Sequence, residues 1–174
     1  IDCGPDFRQQ MLASNCQKVD GILYTHEHSD HTAGLDDIRP FNFRQGEIPI
    51  YAHQRVIDNL KKRFDYVFET KNKYPGAPSV KPIEVVNNQP FPIGNKTAIP
   101  VNVMHGDLQV FGYRIDDFAY LTDVKTIDEI EIGKLLLSPT RTFAPVFMKL
   151  FESQFDNING IIHCSGGGQT KDRK

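Results

Sequence analysis

No apolar run in this 174-residue chain approaches the roughly 20 residues that a membrane-spanning helix needs. A secretory leader pattern is absent too, and because the chain opens at Ile1 rather than at methionine, a missing true N-terminus is expected. Charge of one sign is not in excess: 20 Lys and Arg face 22 Asp and Glu, for a net charge of −2 and a pI near 6.3. That balance excludes a global basic field for nucleic acid or anionic lipid. Cysteine is scarce. Cys3, Cys16 and Cys164 form an odd, scattered set with no CxxC pairing, which argues against a disulfide framework and fits a reducing cytoplasm. No repeat or low-complexity tract is present, and the length suits one domain with a real core.

Histidine is also sparse, with six in all, yet half of them sit in His26-Glu27-His28-Ser29-Asp30-His31. Imidazole nitrogen together with carboxylate oxygen is the donor set that a borderline cation such as Zn²⁺ selects. Residues 19–24 before this stretch read as a short buried strand, and Gly34 with Asp36 and Asp37 after it reads as a helix start. At a strand end His26 and His28 point the same way, while Asp30 and His31 turn past them toward a second ion. The competing reading is a solvated polar loop. Concentrating half of the histidines in six positions argues against it.

Elsewhere the residues leave more open. Residues 6–13 read as a helix, and Asp2 either caps that region or orients a ligand histidine by hydrogen bonding. Residues 36–41 read as a short helix that Pro40 ends or kinks. Arg39 either pairs with Asp36 or Asp37 or grips a phosphate with two hydrogen bonds, the ion pair being favoured. A strand at 48–52 leads to a helix over 54–68, with Val56, Ile57, Leu60, Phe64, Val67 and Phe68 at helical period. Lys61, Lys62 and Arg63 then form a solvated outer face, and His53 reads as a cap or a surface residue. Pro75, Pro78, Pro82, Pro90 and Pro92 predict an irregular excursion over 70–92. A hairpin turn at 93–96 and a strand at 97–104 follow, ending at His105-Gly106-Asp107. Strands at 108–115 and 118–121 flank a tight turn at Asp116-Asp117. The last of them ends in Asp123, a charge stranded at a sheet rim unless something binds it. Capping a helix from Thr126 is the other reading.

HEHSDH matches the HxHxDH signature of the metallo-β-lactamase superfamily, and the chain to about residue 134 resembles that family. IDCGPDFRQQ resembles its first motif and FAYLTDV its bridging motif. IDCGPDFRQQ with GLDDIRPF narrows the likeness to the phosphodiesterase branch, near phosphoribosyl cyclic-phosphate phosphodiesterase and, more distantly, tRNase Z. The resemblance implies an α+β fold, the αββα metallo-β-lactamase sandwich, expected to be incomplete at both ends. It implies two divalent metal ions, Zn²⁺ or Mn²⁺. His26, His28 and His105 would hold one, Asp30 and His31 the other, and Asp123 would bridge them. The implied reaction is phosphodiester hydrolysis by a hydroxide between the ions, with Asp30 and Asp123 catalytic and no Cys or Ser nucleophile. The implied substrate is a small phosphodiester or cyclic phosphate, and the segment 70–92 would lie near the site's mouth. Without a basic arm, nucleic acid is less favoured. Two rivals stand: a non-catalytic or inactive metal-binding fragment, and a thiolester or lactam hydrolase, because the metal motif alone does not set the substrate.

Past about residue 134 the likeness stops. SPTRTFAPV and HCSGGGQTK, within 138–173, resemble a fragment of aminoimidazole ribonucleotide synthetase. Residues 135–174 are therefore expected to be an unrelated segment, not an independent domain. The chain joins two reading frames, or is a genuine fusion, or uses His163 as the last second-site ligand; the first account is favoured. The Gly166-Gly167-Gly168 run reads as a flexible loop in preference to a phosphate cradle.

Overall fold

The structure is a computed structural model that describes residues 1–124. The region 125–174, including His163, lies outside the described residues. The order of elements is α1 (Phe7–Ala13), β1 (Ile22–Leu23), α2 (Ser29–Thr32), a 3₁₀ turn (Leu35–Ile38), α3 (Arg39–Gln45) and β2 (Ile48–Ala52). Then come α4 (Gln54–Arg63), α5 (Asp65–Phe68), β3 (Val80–Glu84), β4 (Phe91–Ile93), β5 (Lys96–His105), β6 (Leu108–Ile115) and β7 (Phe118–Tyr120). Among the described residues no helix is long and apolar enough to cross a membrane.

Two sheets form. The first is parallel, in the order β1-β2-β3, and the second is antiparallel, in the order β4-β5-β6-β7. Strand alternation makes β2 the hinge of the packing. Ile48, Ile50 and Ala52 are fully buried on its helix side, in a core with Phe7, Leu35, Ile38, Phe41, Val56, Ile57 and Leu60. Tyr51 points the other way and stacks on Phe91 of the antiparallel sheet, ring centroids 4.8 Å apart. Leu23, Val85, Ala98, Phe111 and Tyr113 fill the space between the sheets. The described residues thus build three layers, helix on sheet on sheet, of an αββα sandwich. Burying Val56, Ile57 and Leu60 makes α4 adhere, at about 1.5–3 kcal/mol for each side chain.

Among the described residues three hairpins close with two-residue loops: Gly94-Asn95, Gly106-Asp107 and Asp116-Asp117. The first residue of each has positive φ (56°, 63° and 49°), the backbone twist that short hairpins require.

Several expectations need correcting. The segment 70–92 is not irregular throughout, since it contains β3 and most of β4. Pro82 is compatible with β3 because that strand is a sheet edge, where no ladder hydrogen bond is lost. Pro40 does not end a helix; it sits in the first turn of α3, where its missing N–H costs nothing. The helix over 54–68 is interrupted at Phe64 (φ −127°, ψ 45°), giving α4 and α5. The strand over 19–24 shrinks to Ile22–Leu23, with the Tyr24 N–H still bonded to the Tyr51 carbonyl.

Candidate metal centre

The chain leaves β1 extended and turns into the single helical turn α2. His28 at its N-cap is still extended (φ −61°, ψ 153°), so His26 and His28 share a face, ring centroids 4.5 Å apart. Asp30 and His31 lie on α2 itself. The helical start therefore comes at Ser29, earlier than the glycine at 34 suggests. Thr32 Oγ1 and the His31 N–H both bond the His28 carbonyl, which closes the turn there.

A second segment braces this loop from below. Asp2 N–H bonds the Leu23 carbonyl, Cys3 N–H the His31 carbonyl, and Gly34 N–H the Cys3 carbonyl, each at 2.8 Å. A Cβ on Gly34 would overlap the Gly4 carbonyl oxygen, and one on Gly4 would overlap the Asp30 carbonyl oxygen. Only glycine lets these backbones meet. Asp2 has positive φ (57°), and so does Asp123 (55°). Backbone strain of this kind costs on the order of 1 kcal/mol each and is held by its surroundings.

Asp2 does not cap α1. Its carboxylate accepts from the Thr25 N–H (2.9 Å), the Thr25 hydroxyl (2.9 Å) and His31 Nδ1 (2.7 Å). With its one proton given to Asp2, the Thr25 hydroxyl can only accept from His26 Nδ1, 3.0 Å away. In the neutral rings one carboxylate thereby selects both tautomers, those that leave the Nε2 atoms of His26 and His31 as lone pairs.

These lone pairs converge. His26 Nε2 lies 2.9 Å from His28 Nδ1. Asp123 Oδ2 lies 3.2 Å from His31 Nε2, 3.5 Å from His26 Nε2 and 3.9 Å from His105 Nε2. Asp30 Oδ2 is 3.5 Å from His31 Nε2. Acceptors facing acceptors at such distances repel unless a proton or a cation lies between them. His26, His28, His105 and Asp123 each offer one donor atom within 4.8 Å of the others, and Asp30, His31 and Asp123 form a second such group. The structure therefore brings together all six residues expected from the sequence. The donor set, imidazole nitrogen and carboxylate oxygen, fits two divalent ions sharing Asp123.

Burial grades across the site. His26 is fully buried and His31 nearly so, whereas His28 and Asp30 are exposed. Burial, with the neighbouring His31 and His28, lowers the His26 pKa to about 4, so its ring is neutral at neutral pH. For His31 burial alone would lower the pKa, but the hydrogen bond and charge of Asp2 outweigh it and the net direction is up. Cys3 is pushed up to about 12, chiefly by burial, so it offers no thiolate nucleophile.

The profile of the beta-lactamase superfamily domain matches residues 1–164. The chain belongs to that superfamily. A solved diphosphatase from the PhnP family is 36% identical, with a TM-score of 0.67 over 77% of this chain and 50% of that one. An octanoyltransferase of Porphyromonas gingivalis is 46% identical over 136 residues, 77% of this chain and 27% of that protein. A Ribonuclease Z of Enterococcus faecalis is 28% identical over 69% of this chain and 39% of its own length. The chain thus spans between about a quarter and a half of these relatives.

Arg39 pairs with Asp36 (2.8 Å), as expected, and Asp36 also accepts from the Tyr66 hydroxyl. His53 caps α4, its Nδ1 accepting from the Arg55 N–H at 3.1 Å. Arg63, expected on a solvated face, instead donates to the Glu27 carbonyl, Thr32 Oγ1 and Ser29 Oγ, fastening the histidine loop to α4. Arg55 reaches the same loop and drew no notice in the sequence. They sit at either end of α4, eight residues apart, and no signal in the sequence says what packs above them.

Proposed function

We propose that this chain is a metal-dependent hydrolase that cleaves phosphodiester or cyclic-phosphate bonds. The observation that carries the metal part is Asp123 Oδ2, within 3.9 Å of three imidazole nitrogens, two from the histidine loop and one from the end of β5. Two divalent cations held by these side chains would lower the pKa of a water and neutralise phosphoryl oxygens. His26, His28 and His105 would hold one ion, Asp30 and His31 the other, and Asp123 both. Asp2 keeps His31 and, through Thr25, His26 in the tautomer that presents Nε2 to the site. Asp30, with its side chain 72% exposed at the rim, can take a proton from an incoming water.

The phosphoester part rests on kinship. The relatives that support it are a diphosphatase and a Ribonuclease Z, names that denote phosphoester and phosphoanhydride cleavage. Acyl transfer belongs to the name of a protein of which the match covers 27%.

Hydrolysis of bis-(p-nitrophenyl) phosphate in Mn²⁺ or Zn²⁺ tests the reading. Turnover that His26→Ala abolishes, with no hydrolysis of a chromogenic lactam or an acyl thiolester, is expected. Preferred cleavage of the lactam or thiolester by a metal-loaded sample would contradict the phosphodiester assignment.

A further inference from the structure

Strand alternation sends Glu27 to the opposite side from His26 and His28. There it meets Arg55, near the start of α4. Arg55 Nε lies 3.0 Å from Glu27 Oε1, and Nη2 donates to Glu27 Oε2 at 3.2 Å. The same Nη2 donates to the Gln109 carbonyl at 2.6 Å. Gln109 pairs with Met104 across the β5–β6 hairpin, in the register step next to His105 and Leu108. One guanidinium thus ties the residue beside His28 to the strand beside His105.

Among the described residues these two segments are otherwise hydrogen-bonded some way down. Phe111 N–H bonds the Thr25 carbonyl at 3.0 Å, below the ligands. The Tyr113 hydroxyl bonds the Tyr24 carbonyl at 2.7 Å, lower still. Among the described residues no backbone bond joins the two upper ends, where His28 and His105 face each other with ring centroids 5.3 Å apart. We propose that Arg55 is a positioning residue for the metal centre, holding His28 and His105 at a common distance through Glu27 and the Gln109 carbonyl. Its planar fork spans two acceptors at once, which an ammonium on a flexible stem does not. Glu27 is then more than a spacer in the histidine motif. This role presupposes the metal centre proposed above.

Zn²⁺ affinity, measured on the whole chain by competition with a chromophoric chelator, tests it. Arg55→Met is expected to weaken Zn²⁺ binding tenfold or more, the usual range for groups that orient ligands. The unfolding midpoint of the metal-free protein is expected to move by only a few degrees. Arg55→Lys should not restore the affinity, and Glu27→Gln, which keeps the shape and removes the charge, should weaken it by a smaller factor. The double variant Glu27→Gln/Arg55→Met should be no worse than Arg55→Met alone, as partners in one interaction behave. Should Arg55→Met fail to fold, Glu27→Gln carries the test. Unchanged affinity in the folded variants, or full restoration by lysine, would overturn the role of Arg55 while leaving the metal centre intact. Wild-type protein that takes up no Zn²⁺ would remove both.

Discussion

The two halves of the candidate centre are built in different ways. His26, His28, Asp30 and His31 come from one short loop, braced at both ends by bonds from Asp2 and Cys3 to Leu23, Thr25, His31 and Gly34. His105 ends β5, carried by hairpin register and tied to the loop near its tip through Arg55, and Asp123 follows β7 by three residues. The first half is locked by close backbone contact and a buried carboxylate, so losing a ligand there also costs structure. The second half hangs from its strands. A ligand can be lost there at little structural cost.

That contrast can be broken most sharply at Gly34. Gly34→Ala drives a methyl group into the Gly4 carbonyl oxygen, where backbone must move on both sides. We expect a loss of roughly 3 kcal/mol, about 10 °C in Tm by calorimetry, with metal uptake lost as well. A change of under 2 °C would mean that the loop is not braced as described.

The two halves are compared directly by His31→Ala and His105→Ala. Both should lose metal. His31→Ala also removes a partner of the buried Asp2 carboxylate, which should cost on the order of 2–3 kcal/mol in the metal-free protein. His105→Ala, at a partly exposed hairpin end, should cost less than about 1 kcal/mol. Equal destabilisation in urea titrations would erase the distinction. Asp2→Asn is subtler: its amide would donate where the carboxylate accepts, favouring the wrong tautomer of His31. Metal affinity should fall roughly tenfold to a hundredfold with the fold retained. Smallest of all is Arg39→Ala, which removes a half-exposed ion pair with Asp36. It should shift stability by no more than about 1 kcal/mol and leave phosphodiester turnover unchanged.

Much of this was legible in the sequence, for a physical reason. A loop that gathers His26, His28, Asp30 and His31 within six positions advertises its chemistry locally. His105 and Asp123 were legible only through the order of motifs in the family, since a lone His or Asp at a strand end carries little signal. The two-residue turns at Gly94-Asn95 and Asp116-Asp117 were readable from residue type, because few residues tolerate positive φ. Edge strand β3 was missed because proline reads as irregular, and only the sheet order shows that Pro82 sits where no partner needs its N–H. Arg55 and Arg63 were missed for a different reason. What an arginine on an amphipathic helix reaches depends on what packs above it, and helical periodicity does not carry that information.

Metal content per folded chain tests the centre most directly. The protein should be purified, dialysed with Zn²⁺ or Mn²⁺ and assayed by elemental analysis per folded chain, beside His26→Ala and Asp123→Asn. We predict about two ions in the wild type and a clear loss in each variant. A monodisperse, cooperatively folding wild-type sample that retains no ion would contradict the central claim.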